Sequence, residues 1–258
     1  MSKDETPFLV AFTLDFETGG LTCQTSACTQ IAIHATRLDK FERLGSFVRY
    51  IYPYGQREIK GITPKRKVLK SKYAIPEEKP MGYEAKALNY SAITMDTLYN
   101  MGEDITKVAE GVISFMKEYT PAKTPRNLRP FLVGQNIGFD VGFLQQMMAY
   151  AGLTGELAKC LRGAVDFYGN FQPLILDTIV LGQLALCHLP NVDSYKLEIL
   201  CEKLGLELDD AHDADADVSA TTNIVSVLTQ RMRCADGGTG EGKLTLSKTE
   251  KSRKHFKI

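Results

Sequence analysis

Apolar and polar positions near the N-terminus follow the two-residue period of a strand. "PFLVAFTLD" is a nearly continuous apolar run ending at Asp15, as expected of a buried strand. "TQIAIHATRLD" alternates, with Ile31, Ile33 and Ala35 on one face, and "GSFVRYIYPY" is rich in β-branched and aromatic residues. The short gaps between these segments suit an antiparallel meander. From Gly55 to about Lys86 the pattern breaks into a polar, proline-dotted stretch that opens basic, with Arg57, Lys60, Lys65, Arg66, Lys67, Lys70 and Lys72. It reads as a long loop or insertion.

Beyond it the period lengthens. Ile105, Val108, Val112, Met116 and Tyr119 recur at helical spacing. "RPFLVG" is a short buried strand, after which Phe143, Leu144, Met147 and Ala151 share one helical face. "PLILD" is another strand leading into "TIVLGQLALCHL", and Leu197, Leu200, Cys201 and Leu204 make a further stripe. A last helix is expected from about Ala216 to Met232, followed by a Gly-rich and then basic tail. The order predicts an α/β domain built on a five-stranded mixed sheet flanked by helices.

Composition narrows the reading. The chain has 258 residues, 44% of them hydrophobic, enough for one large core. Lys+Arg and Asp+Glu balance at 31 each, so a nucleic-acid function would rest on local patches rather than on a global field. The apolar run Phe8 to Leu14 is too short for a signal segment or a membrane span. The six cysteines form no C-x-x-C pair and sit mostly in apolar surroundings, which suits reduced thiols in a cytoplasmic protein.

Three acidic segments stand out. In "LDFETGG", Asp15 and Glu17 lie two apart at the end of the first strand, so both project to one side. An acidic strand-to-turn exit is the bland alternative. In "NIGFDVGFL", Asp140 opens an amphipathic helix, where it would complement the helix dipole in any protein. The third segment, "DDAHDADADVSAT", puts Asp209, Asp210, Asp213, Asp215 and Asp217 around His212. A calcium loop fails, because counting from Asp213 the sixth position is Val218 and the twelfth is Ile224. A solvated acidic turn accounts for Asp209, Asp210, Asp213 and Asp215, but not for Asp217 leading into a helix or for His212 five residues before it. A histidine beside carboxylates has the makings of a general base. Four carboxylates converging at a sheet edge would repel one another unless cations were bound. All-oxygen ligands favour Mg²⁺ or Mn²⁺, and two such ions about 3.5–4 Å apart can clamp both oxygens of a phosphodiester undergoing displacement.

The order "DFETGG", "NIGFDVGFL", "HDADAD" resembles the three exonuclease motifs of the DnaQ-like 3′–5′ exonucleases of the DEDDh type, a group that includes the proofreading epsilon subunit of bacterial DNA polymerase III, ribonuclease T and oligoribonuclease. The resemblance covers roughly residues 8 to 232 and implies a ribonuclease H-like fold for a domain over residues 1–233; the basic insertion at about 55–86 and the flexible Gly-rich, then basic tail over 234–258 depart from the family pattern. It implies two divalent cations held by Asp15, Glu17, Asp140 and Asp217, with His212 as the base. It places Thr18, Leu21, Asn89 and Ile93 near the 3′-terminal nucleotide. Phe139 and Phe143 are candidate aromatic platforms for the strand, with core packing as the equal alternative, and Asp177 reads as a helix N-cap rather than a ligand. Gln135 stands where many relatives carry histidine. The expected activity is removal of nucleoside 5′-monophosphates from the 3′ end of DNA. RNA trimming and a proofreading subunit tethered to a DNA polymerase are the alternatives, and a non-catalytic scaffold is the remaining one.

Overall fold

The computed structural model describes residues 8–57, 79–207 and 213–234. His212, Asp209, Asp210, most of the basic insertion and the tail on which a polymerase tether would depend lie outside them.

Three N-terminal strands, β1 (Val10–Thr18), β2 (Cys28–Arg37) and β3 (Glu42–Tyr50), form the antiparallel meander. β4 (Phe131–Gly134) then pairs parallel to β1, and β7 (Ile175–Asp177) parallel to β4. The sheet order is β3-β2-β1-β4-β7, the mixed five-stranded sheet expected from the pattern. A separate hairpin, β5 (Gly163–Val165) with β6 (Phe171–Pro173), was not foreseen. Its strands are too short to show a period.

Strand alternation sorts the two faces of the sheet. Val10, Phe12, Leu14 and Phe16 of β1 join Ile31, Ile33 and Ala35 of β2 in the main core. That core is closed by α3 (Ile105–Glu118), through Val108, Val112 and Met116, and by α4 (Ile137–Ala151), through Phe143, Leu144 and Met147. The opposite face carries Ala11, Thr13, Asp15 and Glu17, and it is crossed by α8 (Ala214–Cys234). Ala214 and Val218 of α8 pack on Ala32, whose small side chain lets the helix come close. α6 (Thr178–Leu186) and α7 (Leu197–Leu204) brace α8 from outside through a smaller apolar cluster that includes Leu200, Ile224 and Leu228.

Part of the stretch read as an open loop is structured. Residues 80–84 are stitched to the turn after β1: Gly82 N–H donates to Thr25 O at 2.7 Å, Ala27 N–H to Gly82 O at 3.1 Å, and Glu84 N–H to Gly19 O at 2.7 Å. Gly19 is required there, since a Cβ would lie 2.3 Å from Gly82 O. Two short helices follow, α1 (Ala85–Tyr90) and α2 (Met95–Met101), and α5 (Thr154–Cys160) completes the set. Among the described residues, no helix is long and apolar enough to cross a membrane.

Candidate active site

Asp15 and Glu17 leave β1 on the face covered by α8, just before the strand pairing shifts register between Glu17 and Thr18. Asp217 comes from the first turn of α8. One carboxylate oxygen from each of the three lies within 4.8 Å of the others. Asp140 is held apart from this trio. It is buried in the first turn of α4, and its Oδ1 accepts a hydrogen bond from Phe16 N–H at 3.0 Å. That bond ties α4 to the strand between the two β1 acids.

Crowding and burial make these groups hard to ionise. Burial first, then the charges of Asp217 and Asp213, pushes Asp15 up to about 7. Burial, followed by Asp15, Asp217 and Asp213, pushes Glu17 up to about 9. Asp140 is also raised, by burial and then by Asp15, against the lowering effect of the Phe16 hydrogen bond. Like charges brought this close favour protonation unless positive charge is supplied. An all-carboxylate donor set of this kind fits hard divalent cations with oxygen coordination.

The other residues singled out in the sequence divide into several groups. Leu21 is 84% exposed on the turn beside the site, and Asn89 is exposed on α1. Ile93 is buried beneath the α1–α2 junction, and Thr18 is buried with its hydroxyl donating to Gly20 O at 2.9 Å. Phe143 is fully buried, its ring 4.9 Å from that of Phe139 and 6.4 Å from that of Phe16. It is a core residue and cannot serve as a platform for bases. Phe139 packs partly against the same core. Asp177 caps α6 by accepting from Ile179 N–H at 2.9 Å and also accepts from Asn136 N–H at 3.1 Å, as an N-cap should. Gln135 is committed structurally, donating to Tyr195 O at 2.8 Å. Arg57, at the mouth of the insertion, lies over the Tyr150 ring and donates to Tyr150 O and Thr106 Oγ1, so its guanidinium is engaged within the protein.

The acidic turn needs the largest correction. Asp213 and Asp215 are not solvated decoration. Asp213 Oδ1 accepts from Gln30 Nε2 at 3.0 Å and its Oδ2 from Ala216 N–H at 3.4 Å, while Asp215 Oδ1 lies 2.6 Å from His34 Nε2. Three residues near the site were missed. Gln30 and His34 bracket the apolar run Ile31, Ala32 and Ile33 on a fully buried stretch of β2, which is the signal that could have found them. Tyr90 is the third. Its phenol is raised by burial first and then by the charges of Glu198, Asp217 and Glu17, and it directly follows Asn89 in the sequence.

Strand order and helix placement are those of a ribonuclease H-like fold, and the carboxylate cluster joins the end of β1 to the first turn of α8. Among solved structures, the chain is similar to exonuclease I, with a TM-score of 0.60 at 19% identity over 86% of this chain and 41% of that one. It is likewise similar to E. coli exonuclease I in complex with a dT13 oligonucleotide, with a TM-score of 0.60 at 20% identity over 87% and 42% of the two chains. A product-bound exonuclease I gives a TM-score of 0.58 at 20% identity over 87% and 44%. The chain therefore spans about two fifths of the length of these neighbours, and the likeness shows the fold. No family model matches the chain, and no curated protein sequence matches it significantly.

Proposed function

We propose that the chain is a cytoplasmic, metal-dependent 3′–5′ exonuclease that acts on DNA with single-stranded or frayed ends and releases nucleoside 5′-monophosphates. The observation that carries this reading is the convergence of Asp15, Glu17 and Asp217, with Asp140 behind them, on a fold shared with an oligonucleotide-bound exonuclease I. Five free thiols among the described residues suit the reducing compartment.

In this mechanism Asp15, Glu17 and Asp217 would hold the cations, and Asp140 would complete the acidic set while fixing the backbone at Phe16. Two Mg²⁺ or Mn²⁺ ions held there would supply charge neutralisation and would make a bound water more acidic. His212, two residues before Ala214 in the sequence, is the base that accepts the proton of the attacking water. Leu21 packs against the terminal base, and Thr18, Asn89 and Ile93 shape or line the pocket for the terminal nucleotide. A duplex end must fray first, at a cost of a few kcal/mol that a single strand avoids.

The test is digestion of 5′-labelled oligonucleotides with the intact chain and Mg²⁺ or Mn²⁺. A descending ladder, faster on single-stranded than on blunt duplex DNA, is expected. Cutting of a closed circular single strand, or immediate release of the labelled 5′ nucleotide, would refute it. A matched RNA decides between DNA degradation and RNA trimming.

A further inference from the structure

Farther along α8, Val225 packs on Ala11 and Val133 of the sheet, but the first turn of the helix, which brings Asp217 to Asp15 and Glu17, has far less apolar contact to hold it. Ala214 and Val218 on Ala32 provide a small apolar contact, and polar links surround it. Gln30 Nε2 donates to Asp213 Oδ1 at 3.0 Å, and Gln30 Oε1 accepts from Ala214 N–H at 3.4 Å. His34, itself buried, meets Asp215 Oδ1 at 2.6 Å. Further along, Thr222 Oγ1 meets Thr13 Oγ1 at 2.9 Å. Gln30, Ala32 and His34 are alternate residues of β2 and so point to one face. β1 runs beside them with Glu17 opposite Gln30, Asp15 opposite Ala32 and Thr13 opposite His34.

The bonds to Asp213 and Asp215 therefore secure the helical turn that delivers Asp217, since Asp213 and Asp217 are one turn apart. Repulsion from Asp15 and Glu17 pushes that turn off the sheet, and the two links oppose it. Burial lowers the His34 pKa, against the raising effect of its hydrogen bond and charge contact with Asp215. A carboxylate can only accept, so the 2.6 Å contact requires a proton on His34 Nε2, and it holds an Asp215 side chain that is 44% exposed and would otherwise point to water.

We propose that Gln30 and His34 of β2 latch the first turn of α8 through Asp213 and Asp215 and thereby set the position of Asp217 as a cation ligand, making Gln30, His34 and Asp215 positioning residues. The proposal rests on the reading of Asp15, Glu17 and Asp217 as a cation site, so the experiment measures cation binding directly.

Mn²⁺ binding to the full chain is followed by electron paramagnetic resonance and calorimetry, alongside thermal unfolding. Asp215→Ala and His34→Leu should each weaken Mn²⁺ binding about tenfold, the low end for losing a group that orients a ligand. The double variant should be no worse than the poorer single one. Asp215→Asn, which still offers His34 an acceptor, should recover most of the affinity. Thr222→Val removes a link farther along the same helix and should lower Tm without changing Mn²⁺ binding, an outcome a purely structural latch would not produce. Parental Mn²⁺ binding in folded Asp215→Ala overturns the latch. Should His34→Leu fail to fold, Asp215→Ala and Asp215→Asn at the half-exposed acceptor still decide. Asp217→Asn separates the two ideas: if it too binds Mn²⁺ like the parent, the cation site itself is wrong; if it alone loses binding, only the latch fails.

Discussion

The two faces of the central sheet come from the same two strands and do opposite things. On one, Phe12, Leu14, Ile31 and Ile33 are fully or almost fully buried against α3 and α4. On the other, Thr13, Asp15, Glu17, Gln30 and His34 meet α8 through hydrogen bonds and repelling charges. The two-residue period of a strand decides which side chain does which. The apolar face supplies stability, and the polar face spends some of it to keep acids where a cation can use them.

The sharpest way to break this comparison is to substitute neighbours on β1. Asp15→Asn should reduce hydrolysis to background, whereas Tm without cation should hold or rise because a repelling charge is gone. Loss of fold instead would mean that Asp15 is structural. Leu14→Ala, one residue earlier, should do the reverse, costing about 2–5 kcal/mol in denaturant unfolding while cation binding by the folded fraction persists. A neutral result there would deny the apolar face its role.

Acid–base behaviour sharpens the same contrast. Asp15 and Glu17 hold their protons at about 7 and about 9 in the folded chain, above the ~4 of an unfolded carboxyl. Folding then takes up protons, so the stabilisation is complete below ~4 and is lost as pH rises through those two values. Thermal melts in excess chelator should show Tm falling from pH 5 to pH 9, with Mg²⁺ restoring most of it at the alkaline end. A flat profile in chelator would contradict the crowded cluster. The smallest effect is expected from Leu21→Ala, which leaves both faces intact. It should raise KM several-fold on single-stranded DNA with kcat little changed, as for loss of binding shared by ground and transition states.

Much of this was legible along the chain because it depends on local periods. The strand alternation of β1 and β2, the helical stripes of α3, α4 and α7, and the N-cap role of Asp177 all follow from neighbours a few residues apart. Asp213 and Asp215 were misread because their partners, Gln30 and His34, lie more than 180 residues away, and no local signal announces such a pairing. Phe143 shows the reverse problem. Its place on the same helical stripe as Leu144 and Met147 already argued for the core, and the nearby acid drew it toward the site. Short α1, α2 and the β5–β6 hairpin escaped because six or seven helical residues, or three per strand, are fewer than a pattern needs.

The neck of the insertion has a consequence for engineering. Gly55 bridges to Pro80, and Gln56 N–H donates to Lys79 O at 2.7 Å, so the chain entering at 57 and returning at 79 is tied off at its base. Closing a longer loop at such a neck costs only about 0.6 kcal/mol per doubling of its length. The stitching of residues 80–84 to the turn that carries Leu21 then becomes independent of what is strung between the two ends. A reporter, an affinity handle or a foreign binding module spliced into that interval should leave the tied neck, and the turn stitched to it beside the carboxylates, in place.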